Sequence, residues 1–282
     1  MSFPHSITYK RIYELDEINK VIKLQEDIWG QETVSPQPQL LASIHHGGIV
    51  IGAFAGELLV GFCYGFAGFK DGETYLVSHM TGILPDYQNH GIGYQLKIKQ
   101  REWAIEFGYK KIVWTYDPLE IRNGYFNMCK LGAYSNHYIP SYYGEMNDKL
   151  NKGLPTDRLL IEWEICSKHV EDTIRDGEKD QPESEVKKLL SWNQTEENFP
   201  IPELLDVKID QENKRYCIPV PSNIQFIKQH HSDVALEWRY AVRNAMSKAF
   251  ANGYMVTRVQ KRRNEKVQYY IVENKLLEGR CE

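Results

Sequence analysis

The sequence predicts an α/β fold with a mixed sheet, followed by a smaller C-terminal α+β unit. Three observations lead there. Apolar runs follow one another between residues 49 and 84, separated only by hairpin-type turns. A helix-period segment at 91–107 precedes the strand-like KIVWTY at 111–116, the order of a β-α-β crossover. Beyond about residue 168 the chain turns polar before strand, helix and hairpin patterns resume.

In order along the chain, residues 7–12 alternate as a short strand. Leu15, Ile18, Val21, Ile22, Leu24 and Ile28 fall at helical spacing, and Gly30 is a stop. Residues 39–46 form a short helix. Ile49–Ala55 and Leu58–Phe66 are separated by Gly56-Glu57, a two-residue hairpin signal. Lys70-Asp71-Gly72 turns the chain into Thr74–Leu84, giving three antiparallel strands. Ile92, Leu96, Trp103 and Phe107 mark the next helix, stopped at Gly108. After the 111–116 strand comes a helix over 119–131, then strands at Tyr134–Ile139 and Leu159–Cys166.

The expected organisation is a domain over 1–168, a polar linker over 169–200 with at most one short helix near Val186–Leu190, and a unit over 201–282 packed on the core. In that unit Arg215–Val220 reads as a strand, Val234–Phe250 as an amphipathic helix and Tyr254–Gln260 with Val267–Val272 as a hairpin. Val234, Leu236, Ala241, Ala245 and Ala249 give the helix its apolar face, with Trp238 added.

Composition narrows the function. The 34 basic and 38 acidic side chains leave a net charge of −4, and the balance is even along the chain, so no polyanion-binding domain is indicated. Lys261-Arg262-Arg263 reads as a hairpin tip. No stretch reaches the ~18 uninterrupted apolar residues of a membrane span, and the N-terminus lacks a secretory pattern, so a cytoplasmic protein is expected. Five widely spaced cysteines without a CxxC fit reduced thiols, and no Cys/His spacing suggests a metal.

The informative stretch is Ile83-Leu84-Pro85-Asp86-Tyr87-Gln88-Asn89-His90-Gly91-Ile92-Gly93-Tyr94, between a strand and a helix. Pro85 ends the ladder, Gly91 and Gly93 let a ligand lie against the backbone, and the helix N-terminus offers unpaired N–H groups and a positive dipole. The result suits an anion such as a pyrophosphate. A bare GxG is also compatible with a tight turn and nothing more.

This stretch resembles motif A of the GNAT superfamily of acyl-CoA-dependent N-acyltransferases, Gln/Arg-x-x-Gly-x-Gly/Ala, through Gln88, Gly91 and Gly93. The order of elements over 7–168 and Lys130-Leu131-Gly132-Ala133 agree with it. The resemblance implies that acetyl-CoA or another acyl-CoA is the co-substrate, its pyrophosphate held between Gln88 and Tyr94 by Gln88, Asn89, His90, Gly91, Ile92, Gly93 and Tyr94. It also implies that the pantetheine pairs with the edge of the strand ending at Ile83, beside a splay from Lys111–Tyr116. Ser78-His79-Met80-x-Gly82, Trp114-Thr115-Tyr116-Asp117-Pro118-Leu119, Tyr143-Gly144, Gly153–Arg158 and the Trp238-Arg239 helix resemble one subgroup, some of whose members are like amino-acid N-succinyltransferases.

The expected reaction moves an acetyl or succinyl group to the amine of a small molecule, an amino acid among the candidates. A non-catalytic CoA-binding module and a protein N-acetyltransferase are the alternatives, and homodimerisation is left open. His79 is the candidate base: an imidazole titrates near neutral pH, and at period two it shares a strand face with Ile83. A packed, structural histidine is the competing reading. The resemblance puts Met128 where relatives carry an acidic Tyr, so Tyr125, one turn earlier, is the nearest candidate acid. Arg158 and Arg122 are candidate carboxylate forks, against surface pairs of Arg158 with Asp157 or Asp148. Asp117 is expected to cap the 119–131 helix. Tyr138, Tyr142 and Tyr143 either line an acceptor pocket or pack beneath a loop.

Overall fold

The computed structural model describes residues 6–145, 153–177, 186–210 and 212–274. They divide into two compact units, with the division between Trp114 and Thr115, where the sequence places a boundary at 168. The architecture is mixed α/β, as the sequence predicts. Among the described residues no helix is long and apolar enough to cross a membrane.

The first unit holds β1 (Ile7–Arg11), α1 (Leu15–Trp29), α2 (Gln37–His45), β2 (Ile49–Ala55), β3 (Leu58–Lys70), β4 (Glu73–Ile83), α3 (Ile92–Phe107) and the start of β5 (Lys111–Tyr116). Its strands lie in the order β1-β2-β3-β4-β5. All neighbours are antiparallel except β4 and β5, which run parallel as the crossover requires. Asp71 and Gly72, both at positive φ (54° and 83°), make the tight turn from β3 to β4.

Helices cover both faces, which explains why every residue of β2 is buried. A Cβ at Gly61 would meet Ile92 of α3, and one at Gly82 would meet Ile28 and Trp29 of α1. Gly61 pairs with Ile83 and Phe62 with Gly82, so adjacent rungs point to opposite helices. On the α1 side Ile18, Val21 and Leu24 pack with Leu40, Val50, Phe54, Phe62 and Tyr64.

One irregularity shapes the site. Tyr64 of β3 pairs with Met80 and the next residue, Gly65, pairs with Ser78. His79 is therefore an extra residue, a β-bulge in β4, and the alternation of faces breaks there.

The second unit holds α4 (Ile121–Tyr125), β6 (Tyr134–Ile139), β7 (Arg158–Glu164), α5 (Lys168–Asp176), β8 (Lys187–Lys188), β9 (Leu190–Gln194), β10 (Pro200–Leu204), β11 (Arg215–Pro221), α6 (Ile224–His230), α7 (Ser232–Ala251), β12 (Met255–Gln260) and β13 (Val267–Glu273). The strand order is β7-β6-β12-β13-β11-β8, with β9 and β10 paired separately. β12 joins β6 through the Val256–Ser135 pair. α7 packs on β6, β10 and β11, and buries Ala235, Trp238, Ala241, Val242, Ala245, Met246 and Ala249. Val234 and Leu236, expected on that face, are only half-buried.

Three sequence expectations change. The single helix expected at 119–131 is α4 followed by a wider turn over Phe126–Lys130, in which the Leu131 N–H reaches back to the Phe126 carbonyl at 3.2 Å. The segment 169–200 is more structured than a linker. α5 opens it, capped by Ser167, whose Oγ accepts from the Val170 N–H. No helix forms near 186–190: β8 lies parallel to β11, Lys187 opposite Tyr216, with Leu189 and Leu190 buried. An isolated helical turn carries a nucleation cost that pairing with an existing strand avoids.

Candidate functional site

The anion-binding loop starts where β4 ends. Pro85–Tyr87 make one 3-10 turn, Asn89 and Gly91 sit at positive φ (65° and 80°), and α3 begins at Ile92. The left-handed kinks turn the chain sharply into the helix. The first bond of α3 runs from the Gln95 N–H to the Gly91 carbonyl at 3.0 Å, so the N–H groups of Ile92, Gly93 and Tyr94 precede the ladder. No side chain caps this terminus. A Cβ at Gly91 would meet nothing within 4 Å, and one at Gly93 would lie 3.1 Å from Ile83 Cδ1. Gly91 thus borders open space, and Gly93 lets α3 approach Ile83. Gln88 is exposed, and its Nε2 donates to the Ile83 carbonyl at 3.2 Å and ties the loop to the strand. Asn89, His90 and Gly91 are exposed. The cradle fits a diphosphate: open at its mouth, with N–H groups and a helix dipole behind it.

Next to the loop lies the β4 edge that faces β5. β4 and β5 pair at Leu76–Ile112 and Val77–Val113 only, while β4 continues to Ile83. Among the described pairs, Ser78 to Ile83 have none with β5.

His79 sits at the start of this edge. His79 is exposed, yet its ring lies edge-on to Tyr64 at 5.9 Å and Phe66 at 5.6 Å between centroids, and partial desolvation there lowers its pKa. The expectation that it shares a face with Ile83 is corrected. Tyr64 and Phe66 belong to the α1–α2 side, whereas Ile83 faces α3. The bulge moves the imidazole to the other face of the sheet.

Lys97 was invisible in the sequence reading. It is 4% exposed, and its Nζ donates to Ser78 Oγ at 2.9 Å and Gln100 Oε1 at 3.0 Å, over the Trp114 ring at 3.7 Å. Burial lowers its pKa to about 7, a shift that Cys63 partly opposes. The available signal was its place on the helical arc shared by Leu96, Gln100 and Ala104.

The remaining candidates belong to the second unit. Tyr125, half-buried on α4, stacks with Lys261 Nζ at 3.3 Å from its ring, and Met128 is buried. Asp117 accepts from the Leu119 N–H at 2.8 Å, but Glu120, not Asp117, is the N-cap of α4. Its main partner is Arg239. Asp157 is held by Arg243 (2.8 and 2.6 Å), the Tyr138 hydroxyl (2.6 Å) and the Ser141 N–H (3.0 Å). Burial alone would raise the Asp157 carboxyl, but these bonds outweigh it and hold it below its ordinary value. Arg158 is buried: its Nη1 donates to the Asp157 carbonyl at 2.9 Å and stands 3.9 Å from Asp117. The expected pair with the Asp157 carboxylate is thus replaced by Arg243–Asp157. Asp148 lies outside the described residues. Arg122 is exposed, as are Tyr142 and Tyr143, whose rings meet edge-on at 4.6 Å. Among the described residues no three His, Cys, Asp or Glu side chains form a metal-binding group.

A glycine-bearing turn into a helix N-terminus at the end of β4 suits an anionic group such as the pyrophosphate of an acyl-CoA. Residues 12–126 match the Acetyltransferase (GNAT) family model, and that match supports an acyl-CoA-dependent N-acyltransferase. No curated protein matches the sequence. Three solved structures illustrate the likeness. A GNAT-family acetyltransferase from Desulfovibrio desulfuricans is 13% identical, with TM-score 0.45 over 57% of this chain and 100% of its own. One from Elizabethkingia anophelis with acetyl-CoA bound is 19% identical, with TM-score 0.43 over 56% and 97%. An N-acetyltransferase from Staphylococcus aureus Mu50 is 11% identical, with TM-score 0.46 over 57% and 99%. The assignment rests on the family model and not on these likenesses.

Proposed function

We propose that the protein transfers an acetyl or succinyl group from acyl-CoA to the primary amine of a small molecule, an amino acid among the candidates. The observation that supports this most is the Gln88–Tyr94 turn at the start of α3, directly after the end of β4. The turn holds the pyrophosphate and the β4 edge offers backbone groups to the pantetheine amides.

In the reaction the amine lone pair attacks the thioester carbonyl carbon. The new N–C bond forms, the C–S bond breaks, and the thiolate leaves with the electron pair. His79 accepts the amine proton, directly or through water; its lowered pKa keeps it neutral and able to do so at pH 7. Tyr125 or solvent returns a proton to the thiolate.

The test is thiol release from acetyl-CoA and succinyl-CoA over a panel of amino acids, small amines and peptides. Amine-dependent release with small acceptors supports the reading. CoA binding without release from any acceptor would make the protein a non-catalytic CoA-binding module, and release with peptides only would make it a protein N-acetyltransferase.

A further inference from the structure

Tyr125 stands where α4 gives way to the wide turn Phe126–Lys130. Two lysines lie over its ring: Lys261 Nζ at 3.3 Å from the ring centre and Lys130 Nζ at 5.7 Å. An ordinary α-helix stacks residues four apart, whereas Lys130 follows Tyr125 by five. The wide turn, closed by the Leu131 N–H on the Phe126 carbonyl at 3.2 Å, brings that spacing back into line.

Lys261 follows β12 directly. A clasp between Cys129 and Val259 sets its place: Cys129 Sγ donates to the Val259 carbonyl and accepts from the Val259 N–H, each at 3.4 Å. Lys261, two residues beyond Val259, shares the strand face that meets the wide turn, and Arg258 falls on the other face. Of the remaining charged groups on α4, Arg122 is exposed, and Glu120 at the N-cap accepts from Gln225 Nε2 at 2.6 Å.

A lysine at a hairpin end ordinarily keeps its charged head in water. Laying the ammonium on an aromatic face gives up part of that hydration. The attraction gained is modest over a neutral phenol and larger over a phenolate, which carries a full negative charge. A cation in this place therefore favours loss of the Tyr125 proton.

We propose that Lys261 is a positioning residue for Tyr125, fixing the phenol ring and making its hydroxyl a better proton donor, with Lys130 adding to the effect from further off. The inference rests on the proton-donor role proposed above for Tyr125. In that step the Tyr125 hydroxyl proton passes to the thiolate sulfur released from the acyl-CoA. The O–H electron pair stays on the phenolate oxygen, and water returns a proton after the products leave. Lys261 stabilises the phenolate between those two events.

The experiment places a ring-fluorinated tyrosine at position 125 of the full chain and follows its fluorine NMR signal through a pH titration. Lys261→Met should raise the phenol midpoint by about 0.5 pH unit or more, Lys130→Met by less, and Lys261→Arg, which keeps the charge, should stay near wild type. In the unlabelled protein Lys261→Met should lower kcat by about 3-fold or more with KM for acyl-CoA unchanged, and Lys261→Arg should restore it. An unchanged phenol midpoint in Lys261→Met overturns the proposal. If that variant does not fold, the same titration of Lys130→Met decides the matter. A raised midpoint with unaltered kcat would instead refute the donor role of Tyr125 while leaving its control by Lys261 in place. Absence of turnover by wild type would refute the acyl-transfer reading, and the titration would still decide whether Lys261 governs the phenol.

Discussion

Arg239 grips Asp117 with both ends of its fork, Nη1 to Oδ1 at 2.8 Å and Nη2 to Oδ2 at 2.5 Å, across 122 residues of sequence. Arg239 is 1% exposed, so this planar pair carries its hydrogen bonds in a nearly dry setting. It fastens α7 to the end of β5, inside the second unit. Removing one partner strands a buried charge.

Arg239→Met is therefore expected to lower stability by about 3 kcal/mol or more. Adding Asp117→Asn should recover part of the loss, because the uncompensated carboxylate is then gone. Urea unfolding of the single and double variants measures both. A single variant within about 0.5 kcal/mol of wild type, the range of an ordinary surface change, would show that the pair contributes little.

The anion cradle makes its own demand. Gly91→Glu and Gly93→Glu should each weaken CoA binding at least 10-fold, on the order of 1.4 kcal/mol. At Gly91 the φ of 80° adds backbone strain to the misplaced charge, and at Gly93 the Cβ crowds Ile83. Calorimetric titration of the folded variants provides the check, and unchanged affinity would remove these residues from the binding site.

His79→Ala should lower turnover by about 10²-fold, as for loss of a general base, with CoA affinity near wild type. The sign of the pH effect follows from the lowered pKa. The neutral imidazole is the active form, so the limb that His79 adds to kcat/KM falls as the pH drops below its ordinary value of 6.5, apart from any limb set by the acceptor amine itself. A pH–rate profile on wild type should show this limb, and His79→Ala should lack it. The same limb in both would assign His79 to packing.

Lys97 also predicts a pH dependence of stability. The unfolded chain holds this proton up to about its ordinary value of 10.5, the folded chain only to about 7. Between those values the unfolded state binds more protons, so stability rises with pH. Cys63, pushed up to about 12 by burial, acts in the opposite sense above pH 9, which leaves pH 7.5–8.5 as the clean window. Wild type should gain about 1 kcal/mol relative to Lys97→Met across that unit. Urea midpoints at the two pH values test it, and parallel behaviour of the two proteins would contradict the lowered pKa.

What the sequence showed and hid follows from how far each signal reaches. Helical spacing in α1 and the turns at Gly56-Glu57 and Asp71-Gly72 are local, and the elements they delimit form as expected. The bulge at His79 leaves no such mark. Ser78 and His79 are both polar, so one inserted residue shifts the faces of β4 without disturbing the run. Lys97 hides because a lysine in a helix ordinarily points to water. β8 to β10 lie in polar sequence and owe their shape to neighbours, such as Pro200, whose carbonyl accepts from Trp238 Nε1 at 3.0 Å. α6 did have a signal, Asn223, whose side chain accepts from the Phe226 N–H at 3.0 Å. Asp117–Arg239 is beyond any local pattern, and it displaced the capping role read for Asp117.

The outermost strand of the first unit, β1, bears on how copies of the protein meet. A strand paired on one side only invites another chain to continue the sheet. In β1 two successive residues, Lys10 and Arg11, point to opposite faces and are engaged with Glu17 and Glu106, each at 2.5 Å. An incoming strand would meet a cation whichever face it presented, and would have to tolerate carboxylates drawn in behind it. Edge-to-edge stacking of copies is thereby discouraged at this border.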